Sequence, residues 1–333
     1  MPHAFVLGGN GLIGRGLVPH FRAHGWRVTV ASRSGTLPPT IEAIGVDSVR
    51  VDRSMPGALA VAVGDGVDIL IDLIAFTEAD ADQINALAGR IGSAIVISSA
   101  SVYVDARGRS LDEATTLEAF PQFPVPIPET HPLVSPSDAS YSTQKVAMEQ
   151  ALLAGPLDTT ILRPGAIHGP GAALPRELFF TKRLIDGRSD VVLVDNGLSR
   201  FHTTSVANLA ELARLAADRP ATRVLNCGDP EALTTSEIGR AIADALGLPH
   251  LREHLLPESR YERPSFANPW AVPHPLVLDM RAAEAQLGYR PLTTYAEAVR
   301  ETAAWIAAEL PTHDWSTTYL ARLFDYAAED AVL

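Results

Sequence analysis

Seven residues near the amino terminus, Gly8-Gly9-Asn10-Gly11-Leu12-Ile13-Gly14, constrain this chain more than any other stretch. They follow a short apolar run, His3–Leu7, and open an amphipathic one, Leu12–His24. Glycines at Gly8, Gly11 and Gly14 permit a tight turn, a close approach of backbone to a pyrophosphate, and close contact between helix and strand. The first turn of the helix then offers free N–H groups and a positive dipole to phosphate oxygens. A glycine pattern alone is weak, but here it stands in the strand–turn–helix context that the chemistry requires. Gly8, Asn10, Gly11, Leu12, Ile13 and Gly14 are therefore expected to hold a dinucleotide.

The rest of the first half repeats the strand–helix alternation. Arg27–Ala31, Ser48–Val51, Val67–Leu73 and Ala94–Ser98 are short apolar runs suited to strands buried on both faces. Helix-like stretches at Pro56–Val63 and Glu78–Ile91 lie between them. This order predicts an α/β fold, a doubly wound parallel sheet with helices on both faces. Pro19 predicts a kink or an early end to the first helix. From Ser99 to Ser140 the chain is loop-like and proline-rich around residues 121–136, and a loop this long in a compact domain is usually functional or disordered. Helix Ser140–Leu153 and strand Thr159–Leu162 follow. Beyond Gly165 the units are irregular: helices Arg176–Asp186, Ser205–Ala217 and Thr235–Leu246, and strands Val191–Val194, Arg200–Thr203 and Arg223–Asn226. A second proline-rich stretch spans residues 264–275. Residues 1–165 read as the dinucleotide-binding domain, to which the segment around 200–226 can return, and residues 166–333 as a smaller mixed substrate lobe.

Composition removes several function classes. A net charge of −12 argues against nucleic acid held by broad phosphate neutralisation. The single cysteine, Cys227, excludes an internal disulfide and fits a reducing compartment. No apolar run approaches the ~20 residues that span a bilayer, and no basic segment precedes the apolar amino terminus, so the cytoplasm is expected.

Two positions bear on the adenosine end. The second strand ends Ala31-Ser32-Arg33, with no acid to bind a ribose 2′-hydroxyl and one arginine to meet a 2′-phosphate. Arg33 thus favours NADP over NAD, a solvated turn arginine being the alternative. Asp52, after the third strand, either reaches the adenine or caps the next helix.

Tyr141-Ser142-Thr143-Gln144-Lys145 puts a tyrosine and a lysine four apart, on one helix face. The pattern is short, yet the chain has seven tyrosines and only two lysines, Lys145 and Lys182. Random placement gives such a pair in roughly 4% of chains of this composition. A nearby ammonium lowers a phenol's pKa and makes it a usable acid/base. Ser98-Ser99-Ala100-Ser101-Val102-Tyr103, after the fifth strand, adds hydroxyls at a strand carboxyl end, where open α/β sheets bind ligands.

With these three motifs the chain resembles the extended short-chain dehydrogenase/reductase family of NAD(P)-dependent epimerases, dehydratases and reductases. Further segments match in order: Pro126–Pro132 the family's P-x-x-E-x-x-P, Arg163–Pro170 its RP-x-x-x-x-GP, Asp195–His202 its D-G…R-D-x-x-H, and Leu287–Pro291 its LG-[WY]-x-P. The resemblance implies a Rossmann-type sheet, Tyr141 as acid/base, Lys145 as ribose ligand and tuner of Tyr141, and Ser99 bonded to the reacting oxygen. It places Leu73, Ile74, Ala75 and Pro164 beside the cofactor, Ser101 and His168 beside the substrate, and Arg200 on a substrate phosphate or, as the alternative, in a surface ion pair. It also implies a small-molecule substrate such as a sugar nucleotide, and a homodimer through the Tyr141–Leu153 helix.

Departures are visible as well. Asp72-Leu73-Ile74-Ala75 stands where the family usually has H-L-A-A, and Ser205 replaces an aspartate. Ala100-Ser101 stands where dehydratases tend to carry Asp-Glu, which disfavours dehydration. His250-Leu251-Arg252-Glu253-His254 spells the inverted zinc-protease motif, but no further ligand can be singled out, and no metal site is assigned. The rival function class is a cofactor-binding sensor without catalysis, which has no need of Ser99, Tyr141 and Lys145 together.

Overall fold

The computed structural model describes residues 1–114, 116–257, 267–312, 315 and 319–333. Its strands are β1 (His3–Leu7), β2 (Arg27–Ser32), β3 (Asp47–Arg50), β4 (Val67–Asp72), β5 (Ile91–Ile97), β6 (Thr159–Pro164), β7 (Ala166–His168), β8 (Asp190–Leu193), β9 (Thr203–Ser205), β10 (Arg223–Cys227) and β11 (Arg252–Leu255). Its helices are α1 (Leu12–Ala23), α2 (Pro39–Glu42), α3 (Ala58–Val63), α4 (Glu78–Asn85), α5 (Tyr141–Leu153), α6 (Leu178–Ile185), α7 (Val206–Asp218), α8 (Thr235–Leu246), α9 (Arg281–Leu287), α10 (Tyr295–Glu309) and α11 (Tyr326–Asp330).

Seven strands form one sheet in the order β10-β6-β5-β4-β1-β2-β3. Every pairing in it is parallel. Strand alternation builds two cores, one on each face. Ala4 and Val6 of β1 join Leu17 and Phe21 of α1 and Leu209 and Leu212 of α7, whereas Phe5 and Leu7 join Ile84 of α4 and Met148 and Leu152 of α5. The order reverses between β1 and β4, which opens the crevice where such sheets bind ligands. The 200–226 segment sends α7 onto α1 and β10 onto β6. A third core, with Phe179, Phe180, Ile238, Trp270 and Val299, is built from α6, α8, α10 and the segment around Trp270.

Several boundaries differ from those the sequence predicts. Helix α1 runs through Pro19 to Ala23, because its face of Leu17, Val18 and Phe21 is fully buried and offsets the one lost hydrogen bond. Helix α4 opens with a Thr77–Asp80 capping box but ends at Asn85; Gly89, at φ +85°, turns the chain into β5. The strand expected at Arg200–Thr203 lies instead at Thr203–Ser205, paired with β7. Ser205 does cap α7, accepting from the Asn208 N–H at 3.1 Å. The stretch at 99–140 is irregular apart from short turns at Ala100–Val102 and Leu117–Ala119. Pro264 lies outside the described residues. No helix among the described residues is long and apolar enough to cross a membrane.

Candidate active site

Three elements meet at the carboxyl edge of the sheet: the β1–α1 turn, the β4 and β5 ends, and the start of α5. The turn needs its glycines for steric reasons. A Cβ on Gly14 would sit 2.0 Å from the Gly9 carbonyl oxygen, so α1 can lie this close to the turn only without one. Gly8 has φ +81°, and a Cβ there would stand 2.5 Å from Ile74 Cγ2. Gly11 caps α1 with no side-chain hydrogen bond and no acid in the first turn, which leaves that terminus open to an anion.

A cavity of about 830 Å³ opens on this turn. Gly8, Asn10, Gly11, Ile74, Ser32, Arg33, Asp52 and Arg53 line it. Arg33 stands at its edge, exposed, at the end of β2. Asp52 does not cap α3, whose N-cap is Gly57; it accepts from the Ser54 N–H and hydroxyl at 3.0 and 2.7 Å, which holds its carboxyl below the usual range. Asp72, in place of the family's histidine, shapes the β4 end. One carboxylate oxygen accepts from the Ile74 and Ala75 N–H groups at 2.9 and 2.8 Å, and the other from Arg53 at 2.7 Å. Leu73 donates its N–H to the Leu7 carbonyl and packs against the first core. Ile13 packs there too, so its contribution to the turn is its backbone.

A second cavity, of about 450 Å³, lies beside the first, lined by Leu12, Ser98, Ser99, Ser101, Tyr141, Pro164, Arg176 and Phe201 among others. Helix α5 is positioned by the Ser140–Thr143 capping box and by Asp112 of the long loop. Asp112 accepts from the Ser142 N–H at 2.9 Å and the Ser142 hydroxyl at 2.7 Å. Ser142 also reaches the Ser101 hydroxyl at 2.8 Å. Tyr141 is 47% exposed and packs its ring on Phe76, centroids 5.3 Å apart.

Lys145 points inward. Its Nζ donates to the carbonyls of Ala75 and Ile97 at 2.6 and 3.0 Å, and burial lowers its pKa to about 8. The ammonium lies 5.9 Å from the Tyr141 ring centroid. The expected lowering of the phenol by Lys145 is not what this arrangement produces. Burial raises the Tyr141 pKa, a hydrogen bond with Ser99 lowers it, and the Asp112 charge raises it. The ammonium is engaged by backbone, so Ser99 is the group that favours the phenolate.

The structure thus brings Ser99, Ser101, Tyr141, Lys145, Pro164 and the glycine turn together. It does not bring His168 or Arg200. His168 is 1% exposed and bonded to Asp229 at 2.9 Å, so it faces the interior rather than a substrate. Arg200 is exposed, with Glu237 as its charge neighbour, and the arginine at the cavity is Arg176. The histidines of the zinc-like motif are bonded to carboxylates, His250 to Asp244 and His254 to Asp190. Asp112 and Arg176 escaped the sequence reading; Asp72, Phe76 and Ser142 stand in or beside motifs that it quoted, but were given no role.

The fit to a dinucleotide rests on features of this chain. The open helix terminus, the Cβ-free cradle, and a buried polar atom without a partner in the wall of the second cavity, Ser98 Oγ, suit a polar phosphate-bearing ligand.

Comparison with known proteins agrees with this geometry. Residues 4–228 match the NAD dependent epimerase/dehydratase family. A curated ketoreductase from Stigmatella aurantiaca, acting on 4-hydroxy-2-methyl-3-oxo-4-farnesyl-3,4-dihydroquinoline-1-oxide, is 30% identical over 225 residues, 65% of this chain and 64% of its own length. The chain thus spans less than two thirds of that relative. Among solved structures, UDP-N-acetylglucosamine 4-epimerase from Bacillus cereus superposes with a TM-score of 0.70 at 18% identity, over 92% of this chain and 100% of that one. The dTDP-glucose 4,6-dehydratase from Bacillus anthracis str. Ames, solved with NAD, gives 0.69 at 15%, over 94% and 98%. By its family match, its seven-stranded parallel sheet and its glycine turn, the chain belongs to the NAD-dependent epimerase/dehydratase family, within the extended short-chain dehydrogenase/reductases.

Proposed function

We propose that this chain is an NADP-preferring ketoreductase, with Tyr141 as the acid that protonates the substrate oxygen. The observation that carries the reading is that Ser99 and Tyr141 line one cavity while the Lys145 ammonium lies behind it, 5.9 Å from the Tyr141 ring centroid. Gly8, Asn10, Gly11 and Leu12 would hold the pyrophosphate, Arg33 the 2′-phosphate, and Lys145 the nicotinamide ribose. When bound, the reduced cofactor supplies a hydride to the carbonyl carbon. Ser99 and Tyr141 orient the carbonyl oxygen by hydrogen bonds, and Tyr141 gives it the phenolic proton as the alcohol forms. Pro164 and Ile74 close apolar surface around the reacting groups.

Reduction is favoured over epimerisation because the relative with 30% identity is a ketoreductase. A sugar nucleotide is less well supported as substrate, since Arg200 turns to solvent beside Glu237. Tyr141→Phe tests the reading: ketone-dependent NADPH oxidation should fall by ~10²–10⁴ while NADPH binding, followed by fluorescence, stays within a few-fold. Unchanged turnover would sink it. Mass spectrometry of natively purified protein separates the two reactions, because tightly retained cofactor would favour an epimerase that recycles its hydride.

A further inference from the structure

The cavity beside Tyr141 has an uneven lining. Leu111, Ile167, Leu174 and Phe201 give it apolar walls, and Ser98, Ser99, Ser101 and Tyr141 supply hydroxyls at one side. Among the described residues that line it, Arg176 is the one cation, and there is no carboxylate. The guanidinium carbon of Arg176 lies 5.6 Å from the centroid of the Phe201 ring. Packing against a ring face holds a guanidinium in plane and leaves its N–H edge free for a planar oxyanion. No hydrogen bond or ion pair among the described residues joins Arg176 to the neighbouring carboxyl, Glu177, although the Arg176 charge acts on that group. Glu177 is 2% exposed and turned inward, where His168 and Tyr295 are its neighbours. A partly exposed arginine held on an aromatic ring, with no acid on the cavity wall, is arranged to receive charge from a ligand.

We infer that Arg176, seated on Phe201, is the anion subsite of the substrate cavity, and that the substrate is a ketone on a mainly apolar body carrying one carboxylate or similar oxyanion. This rests on the ketoreductase reading for the identity of the reacting group, and deepens it by naming the rest of the molecule. A nucleoside diphosphate presents the same oxygen chemistry but with more charge and a polar sugar. One guanidinium between apolar walls suits it less well than a single carboxylate, which Arg binds in a planar, two-pronged fashion.

The test uses the full chain saturated with NADPH. 3- and 4-acetylbenzoate, their methyl esters, and UDP are titrated by calorimetry, and turnover is followed where it occurs. In the wild type the acids should bind about 10-fold tighter than the esters. Arg176→Gln should remove that gap with little change in ester binding, and Arg176→Lys should restore part of it. Where turnover occurs, the change should fall on KM rather than kcat. Acids no tighter than esters in the wild type, or a gap that survives in Arg176→Gln, would overturn the subsite. UDP binding lost in Arg176→Gln while the acids bind no better than the esters would overturn the apolar carboxylate assignment in favour of a diphosphate. Tyr141→Phe keeps the two readings apart: it should retain the acid–ester gap in binding, because the anion contact does not involve the phenol. Full turnover in Tyr141→Phe would defeat the catalytic reading while leaving the Arg176 result standing.

Discussion

Lys145 donates to the Ala75 carbonyl at 2.6 Å, a bond between residues 70 positions apart that ties the middle of α5 to the end of β4. The second bond, to Ile97 at 3.0 Å, ties the same ammonium to the end of β5. The lysine is therefore a brace across the crevice as well as a charge within it.

That placement predicts a pH dependence. Burial disfavours the ammonium and lowers its pKa to about 8, the carboxylate of Asp72 acting in the other direction. Below about pH 8 the ammonium is present, and above it the charge is lost. kcat/KM for ketone reduction should thus fall above about pH 8. Lys145→Met should have lower activity throughout and no limb near pH 8. A limb of the same pKa in the variant would assign it to another group.

Asp112 predicts an effect of the long loop on the chemistry. It accepts from the Ser142 N–H and hydroxyl at the first turn of α5, and Ser142 is bonded to Ser101 in the cavity wall. Asp112→Ala should cost about 1 kcal/mol of stability, as for a lost helix cap. It should also reduce kcat several-fold, since it frees the turn that carries Tyr141. Thermal melts and steady-state kinetics on the same preparation would check both; unchanged kcat would leave Asp112 a cap without a catalytic consequence.

Arg33 predicts cofactor choice. It lines the larger cavity at the end of β2, a strand end that carries no acid of its own, with Asp52 of the same cavity as a charge neighbour. Arg33→Ala should weaken NADPH by about 1.5–3 kcal/mol, the scale of a hydrogen bond to a charged group, with little effect on NADH. Fluorescence titration of both cofactors decides it, and equal losses would remove Arg33 from the specificity argument.

Much of this site was legible because its chemistry is local in sequence. The Gly8–Gly14 turn, the Tyr141–Lys145 spacing and the hydroxyls at 98–101 each sit within one element junction, so periodicity and residue type suffice. The parts that were missed are made by distant segments. Arg176 reaches the cavity by folding back against Phe201, and Asp112 meets Ser142 from across the proline-rich loop. Neither contact has a spacing that a linear reading can register. Arg200 and His168 failed for the converse reason: they match family positions, but strand β9 forms at Thr203–Ser205, leaving Arg200 exposed before it while His168 is buried on Asp229. The segments outside the seven-stranded sheet were read less well because their strands are short pairs rather than long runs buried on both faces.

The His168–Asp229 pair gives the last prediction, and its sign follows from both partners. Burial works against a charged His168, but the hydrogen bond and charge of Asp229 outweigh it and raise the histidine's pKa. Asp229 is itself held far below the usual carboxylate range, despite its burial, by His168, the Ser205 N–H and the Thr203 hydroxyl. A raised histidine contributes stability that is complete below its unfolded value, near 6.5, and lost as pH rises through the folded value. A depressed aspartate contributes above about 3.9, and that part is lost only in strong acid. The contribution of His168 to stability against urea should therefore decline as pH rises from about 6.5 through the folded value, by about 1.4 kcal/mol for each unit by which the folded histidine exceeds the unfolded one. His168→Gln should be less stable at pH 6 and flatter over that interval, because Asp229 keeps its bonds to Thr203, Ser205 and Asn208. Parallel slopes in the two proteins would mean that His168 is neutral in the fold, and that Asp229 draws its stabilisation from the hydroxyl, amide and backbone donors alone.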